Sequence, residues 1–506
     1  MIYPTNLSLF RFATVFLFAT SSLLTSAFAQ FELPFPGVPN PGRPGFTRYV
    51  SRGDTVTSVS LARLRTNLVA SEDSSVLIAD NIVPRNLISR DESNLIMRSG
   101  DVRVLAQSLD ESLLELRGGE IEEVFAQGMS TLLLAGATVE SSLTAYGEAM
   151  VELRDGRIGE WVTMNGDSIL NMGFCDIGGG IVLLENSQLL VSNGSFPVLF
   201  SQGESRFEIQ SEGESNVYSY GESNGVISGR VGDLTTGDDS ITTIDAGSVR
   251  SLTTNGSSQV TMDGGWIYGT SETLVDVKGS SVVSLNLLPT EQPQGNNDQV
   301  SRNAYVYQDG MLTLHSGSFD TLLANGESEY TMEGGDLGTL QVDGDAIAIL
   351  RGGSIRTLIA RGGKTYLNGV TCEELRVEGD ADVVLYNAAI ERINVSSGRM
   401  HILYDDIGGF PSDILAGREN LNIEVSNGDL HLYASRVQGA RSYPKLFDLF
   451  GESLPTSDLP DSGWWTLLLW NRTGIVDEFW FRNLIPNATG TVYLHSTLGS
   501  TFPYRD

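Results

Sequence analysis

The residues best equipped for chemistry in this chain are carboxylates, and they recur at a fixed phase. Glu148, Asp167, Glu204, Glu222, Asp238, Glu327, Asp345 and Asp380 each directly follow a glycine. Strands of a sheet lie about 4.8 Å apart, so carboxylates at one phase of stacked repeats would form a column. Calcium suits such a column because it accepts about six to eight oxygens in flexible geometry. Glu327 with Asp345, and Glu148 with Asp167, are therefore the candidate metal ligands, and calcium is the one cofactor the sequence suggests. A solvated acidic edge, screened by salt, is the favoured expectation. The Gly-Gly-x-Gly-x-Asp consensus of calcium-binding β-rolls does not occur.

Other chemistries find less support. Asp238-Asp239 and Asp405-Asp406 are adjacent carboxylates, but neighbours on a strand point to opposite faces. Acid/base cleavage of a glycoside needs two carboxyls about 5–10 Å apart across the sugar. Both pairs read as solvated turns. The histidines His315, His401, His431 and His495 lack zinc spacing, although His401 and His431 fall where neighbouring repeats could bring them together. Cys175 and Cys372 lie too many repeats apart to form a disulfide. Dinucleotide and P-loop fingerprints are absent. Lys+Arg total 32 against 63 for Asp+Glu, a formal net charge of -31, which argues against nucleic acid as a partner. With lysine only at 278, 364 and 445, the composition also argues against a polybasic membrane patch.

The elements that carry these residues follow from a second pattern. The motif apolar-x-Gly-Gly-x-Ile recurs, as in Leu116-Arg117-Gly118-Gly119-Glu120-Ile121 and Leu350-Arg351-Gly352-Gly353-Ser354-Ile355. Most of its steps are 17 to 19 residues, and the large gap from Gly265 to Gly317 equals two repeats plus an insertion. A second glycine column, including Gly128, Gly147, Gly166, Gly203 and Gly344, falls half a repeat later. Apolar and polar residues alternate between them, the strand period. Glycines at fixed phase supply the positive φ that corners require. The expectation is an all-β chain, a parallel β-helix or solenoid of about 17–18 coils of ~18 residues, capped at both ends. Glycines spaced near nine rather than six residues favour a right-handed coil. Stacked at about 4.8 Å, the coils would extend about 80 Å.

Residues 1–29 read as a secretory signal peptide. Arg11 is followed by an apolar run from Phe12 to Leu24 and by Ala27-Phe28-Ala29. That run is shorter than the ~20 residues that span a bilayer, so no integral membrane segment is expected in the mature chain. A Pro/Gly-rich linker at 30–45 leads to an N-terminal cap at 46–67. The solenoid occupies 68–437, with an insertion at 286–303. The remainder, 438–506, holds Trp464, Trp465, Trp470 and Trp480 and reads as a C-terminal cap, with a hairpin across Asn471-Arg472-Thr473-Gly474.

From about Leu68 to Asp406 the glycine-punctuated repeats resemble the passenger regions of autotransporter adhesins. The resemblance implies the solenoid fold and export, whereas the translocator barrel of that family has no counterpart in 438–506. The Gly-His-Gly and Arg-Ile-Lys elements expected of β-helix polysaccharide hydrolases are absent. The catalytic arginine beside calcium-binding aspartates of the lyases cannot be assembled from any short segment. No catalytic residue is assigned. The reading is a protein that is secreted, periplasmic or at the cell surface, more a structural or interaction protein than an enzyme. Carbohydrate or other surface proteins are its expected partners. The alternative is a polysaccharide lyase or glycoside hydrolase whose cleft is shaped by the insertion.

Overall fold

The computed structural model describes residues 47–52, 55–56, 67–78, 83–269, 273–288, 302–403, 422–434 and 436–439, and beyond these the strands Leu446–Phe447, Ser453–Pro455, Trp464–Trp470, Val476–Arg482 and Thr491–Ser496. Contacts divide the chain into Met1–Tyr49 and Val50–Asp506. The expected signal peptide at 1–29, the expected linker at 30–45 and most of the expected N-terminal cap at 46–67 lie outside the described residues, as do 289–301 and 404–421.

The second unit is a parallel β-solenoid of about 17 turns of ~18 residues. Each turn supplies a strand to each of two long parallel ladders. The first ladder runs through Asn94–Met97, Leu113–Leu116, Thr131–Val139 and onward to Asp429–Ala434. The second runs through Asn86–Ser89, Val102–Ser108, Glu120–Gly128, Leu143–Gly147 and onward to Asn422–Val425. No helix among the described residues is long and apolar enough to cross a membrane.

Alternation along each strand explains the packing. In Thr131–Val139 the side chains of Leu132 and Leu134 are fully buried while Thr131 and Leu133 are partly exposed. The same phase from coil to coil builds a continuous inward column, aliphatic through Leu114, Leu132, Val151, Leu170 and Leu189 and carried on by Phe207, Gly225 and Thr242. Each such aliphatic side chain contributes about 1.5–3 kcal/mol on burial, and a coil contacts only its neighbours, so stability accumulates coil by coil. Tyr330 stands in this column, fully buried, and its hydroxyl has no hydrogen-bond partner among the described residues. Burial pushes its phenol pKa up. A buried, unpaired hydroxyl costs about 1–3 kcal/mol, so Tyr330→Phe is expected to raise unfolding free energy by about 1–2 kcal/mol in a denaturant titration. A less stable variant would mean that the hydroxyl has a partner.

Both glycine columns sit at corners. At the first, Gly119 has φ +97° and its missing Cβ would stand 1.7 Å from the carbonyl oxygen of Gly100, one coil earlier. Where the second glycine of the pair is replaced, as at Ala137 and Val370, the strand continues through the corner on a β-bulge, with the positive φ moved to Gly136 and Gly369. The second column is the second residue of a four-residue turn, closed by bonds such as Ser112 N–H to the Leu109 carbonyl at 3.2 Å. Its φ of +54° to +79° is held by Gly128, Gly147 and Gly326, and equally by Asp91, Asp110, Glu185 and Asp238.

In most coils the fourth residue of that turn is a serine that the glycine pattern does not reveal, with Ala149, Gly310, Ala346 and Ala381 in its place elsewhere. Ser93, Ser112, Ser130, Ser168, Ser187, Ser205, Ser223, Ser240, Ser258, Ser281 and Ser328 are all 0–1 % exposed. In several coils the hydroxyl accepts from the first residue's N–H, as Ser112 from Leu109 at 3.1 Å, or pairs with a hydroxyl of the preceding strand, as Ser223 with Ser219 at 2.6 Å. The hydroxyls of Ser168, Ser187 and Ser328, in contrast, have no partner among the described residues. Where these bonds form, the hydroxyl satisfies a backbone group of the turn.

The large sequence gap resolves as two coils. Val282–Asn286 and Met311–Ser316 follow Gln259–Asp263 in the first ladder. Asn286 ends one strand and Asn303 begins the next; most of the expected insertion between them, 289–301, lies outside the described residues. The ladders also continue beyond 437. Trp480 and Phe481 pair with Asn422 and Ile423, and Thr491–Ser496 pairs in parallel with Asp429–Ala434. Trp464–Trp470 pairs antiparallel with Val476–Arg482.

Candidate functional site

The acidic residues occupy the third position of the closed turn. Gly147 and Gly166 stack on each other, as do Gly326 and Gly344, which places Glu148 beside Asp167 and Glu327 beside Asp345 on consecutive coils. All four are exposed. Asp167 Oδ1 accepts a hydrogen bond from Asn186 Nδ2 at 3.0 Å. Asp238 departs from the column. It takes the glycine's own place, with φ +54°, and its Oδ2 accepts from the Gly221 N–H at 3.2 Å; Asp239 is the residue in the acidic row. Among the described residues no group of three or more His, Cys, Asp or Glu is arranged to hold a metal ion. Solvated carboxylates repel through a high dielectric and are readily screened. Sodium chloride at matched ionic strength is therefore expected to raise the melting temperature as much as millimolar calcium chloride. A calcium-specific rise, lost in the Asp345→Asn, Glu327→Gln double variant, would assign the calcium ladder instead.

His401 and His431 pair in register on adjacent coils, with ring centroids 4.5 Å apart and planes inclined by 13°. His401 Nε2 lies 3.2 Å from Asp382 Oδ1, both residues being 8 % exposed. The imidazole holds the Asp382 carboxyl below the usual aspartate range against the opposing effect of burial. His495 lies on a strand whose side chains fall outside the description, as do Asp405 and Asp406. Cys175 and Cys372 are free and buried, and burial pushes both thiols up to about 12, so neither is a nucleophile near neutral pH.

The surface best built to receive a ligand is the outward face of the second ladder. Trp161 pairs with Gly180, whose missing Cβ would meet the indole Cζ3 at 2.8 Å. The ring therefore lies over a residue that has no side chain to lift it. Phe200, one coil further on, has its centroid 6.3 Å from the indole, and Tyr218, paired with Phe200, stacks on it at 4.9 Å and 16°. The indole is 38 % exposed. Burial pushes the Tyr218 phenol up, so it stays neutral and can donate.

A polar fork adjoins the rings. Asn216 pairs with Val198 on the row that begins at Trp161, and its Oδ1 accepts from the Asp233 N–H at 3.0 Å. Arg250 binds Asp233 at two points, Nε to Oδ1 at 2.9 Å and Nη2 to Oδ2 at 2.5 Å, and reaches Asn216 Oδ1 at 3.2 Å. Ser251 Oγ donates to Asp233 Oδ1 at 2.7 Å. The guanidinium holds the Asp233 carboxyl below its ordinary range. An exposed pair of this kind adds little stability; its effect is a planar array of donors fixed in direction. On the first ladder a shallow hollow of about 380 Å³ is lined by Glu152, Arg154, Asn171 and Phe174, but its charged pair, Glu152 with Arg154, is closed on itself.

None of Trp161, Phe200, Tyr218, Asp233 or Arg250 stood out in the sequence. The available signal was aromatic residues at equal phase, since Phe200 and Tyr218 are one repeat apart. Comparison with protein-family models, curated proteins and solved structures found no match.

Proposed function

We propose that the protein is an exported interaction protein, a rigid β-solenoid that binds an extended neutral glycan along Trp161, Phe200 and Tyr218. The carrying observation is the indole seated on Gly180 beside two stacked rings and next to a fixed polar fork. One face of a pyranose ring is lined with C–H groups and packs on aromatic rings, while its hydroxyls seek directed donors and acceptors. Coils about 4.8 Å apart repeat on the scale of one sugar unit. A net charge of -31 disfavours acidic polysaccharides. Export rests on Arg11, the apolar run from Phe12 to Leu24 and Ala27-Phe28-Ala29. The alternative of a lyase or glycosidase is disfavoured on this face, because Asp233 is tied to Arg250 at two points and is not free to act as acid or base.

A glycan array followed by calorimetry tests the reading. Trp161→Ala, and Gly180→Val, which fills the seat without removing a ring, are each expected to weaken binding about tenfold or more, the scale of one lost stacking contact. Melting temperature should barely change in Trp161→Ala, the deciding variant, and should fall in Gly180→Val, whose Cβ at φ +149° would also stand 2.7 Å from the Val198 carbonyl oxygen. Absence of binding to any neutral glycan, or binding indifferent to both variants, would sink the proposal.

A further inference from the structure

The first ladder carries an arrangement that glycan binding does not use. Three successive strands, Val282–Asn286, Met311–Ser316 and Glu329–Met332, pair in parallel, with Ser284 opposite Thr313 and Thr313 opposite Thr331. His315 lies two residues beyond Thr313, and Glu333 two beyond Thr331, on the same outward side. Ser284 Oγ is 3.1 Å from His315 Nε2, and His315 Nδ1 is 2.7 Å from Glu333 Oε2. Arg351 Nη1 lies 3.9 Å from the other Glu333 oxygen and holds the carboxylate from its far side. Hydroxyl, imidazole and carboxylate thus stand in line on three consecutive coils.

We propose that Ser284, His315 and Glu333 form a nucleophile, base and orienting carboxylate that hydrolyse carboxylic esters at the solenoid surface. Roles in such a relay are recognised by geometry rather than by order in the chain. Glu333 accepts the Nδ1–H bond, which fixes the tautomer that leaves Nε2 as acceptor for the Ser284 hydroxyl proton. Ser284 Oγ attacks the ester carbonyl carbon while its proton passes to His315 Nε2. The carbon–oxygen bond to the alcohol then breaks, and the alcohol leaves with that proton. Water attacks the resulting acyl-serine, giving a proton to Nε2. The acid departs as the Ser284 oxygen recovers its proton. No oxidant, reductant or cofactor enters the balance.

The neighbours set the substrate class. Thr261 and Thr313 flank Ser284 on the paired strands, so their hydroxyls share its row and are the donors available to the developing oxyanion. Asp263, held by Asn286 Nδ2 at 2.8 Å, and Glu333 make the surroundings acidic, which favours a neutral or cationic ester. His315 and Glu333 side chains are 39 % and 43 % exposed, so turnover on this open face is slower than in a water-excluding cleft. The activity does not depend on the glycan reading.

The test uses the full mature chain, an alkyl fluorophosphonate probe and p-nitrophenyl acetate. Peptide mapping is expected to place the phosphonyl label on Ser284, not on nearby Ser316. Ser284→Ala should abolish the label and slow ester hydrolysis at least tenfold, and His315→Gln should do the same. Glu333→Gln should lower kcat with KM little changed, with partial recovery in Glu333→Asp. All three positions face outward, so circular dichroism and melting of the four variants should match the parent. No label at Ser284, or a Ser284→Ala protein as fast as the parent, would overturn the assignment.

Discussion

Gly119→Ala is expected to destabilise the solenoid by about 3 kcal/mol or more, whereas Gly147→Asp should cost no more than about 1 kcal/mol. Both glycines have positive φ, +97° and +72°, so backbone conformation alone does not separate them. Space does. A Cβ at Gly119 would stand 1.7 Å from the Gly100 carbonyl oxygen, a backbone atom that cannot swing aside, while at Gly147 the nearest atom is 3.4 Å away. The protein itself places Asp91, Asp110 and Asp238 at the second kind of corner, where a short acidic side chain tolerates the left-handed region. Thermal melting together with amide exchange in Asn94–Met97, Leu113–Leu116 and Thr131–Val139 would measure the contrast. Equal melting of the two variants would show that close approach is not what the first glycine column accommodates.

Deleting 441–506 is expected to make the protein aggregate. Thr491–Ser496 covers Asp429–Ala434 along its whole length, and Trp480 and Phe481 cover Asn422 and Ile423. Without them the last strands of both ladders present unpaired N–H and C=O groups to any other chain. Light scattering or size-exclusion chromatography reads the outcome. A truncated chain that stays monomeric and melts as the parent does would mark 441–506 as a separate module.

Coil architecture was legible in the sequence because each corner makes a demand that few residues meet. Positive φ and close approach fix glycine at one phase, and the aliphatic alternation between corners does the rest. The same regularity located His401 against His431 across a longer-than-average coil. Where two threadings satisfied the glycine rule, the sequence was ambiguous. In Gly237-Asp238-Asp239-Ser240 the glycine reads as the turn residue, yet the buried serine must close the turn, and Ser240 sets the register so that Asp238 takes the strained position. The ring-and-fork face was hidden for another reason. Its key partner is a glycine, Gly180, chosen for what it lacks, and outward positions obey no periodic constraint. Ser284 and His315 are 31 positions apart because the excursion leaves the chain between them, a spacing that no repeat predicts.

The closed turn also divides the molecule into a constant side and a variable one. Connections from a second-ladder strand to the next first-ladder strand are short and uniform, as at 278–281, 307–310, 325–328 and 361–363. The longer intervals at 287–302 and 404–421 fall where a first-ladder strand gives way to the second ladder, and 268–272 falls within the second ladder, between Trp266–Ile267 and Thr273–Val277, which both pair with Ser248–Thr254. The closed turn, the second kind of corner, keeps three or four residues from coil to coil, while beyond the first kind of corner intervals of different length are followed by an unshifted register. Foreign loops, epitopes or whole binding modules spliced at the permissive corner would therefore emerge in a single file at coil spacing, and the solenoid could serve as a display scaffold with its array pitch set by the peptide backbone.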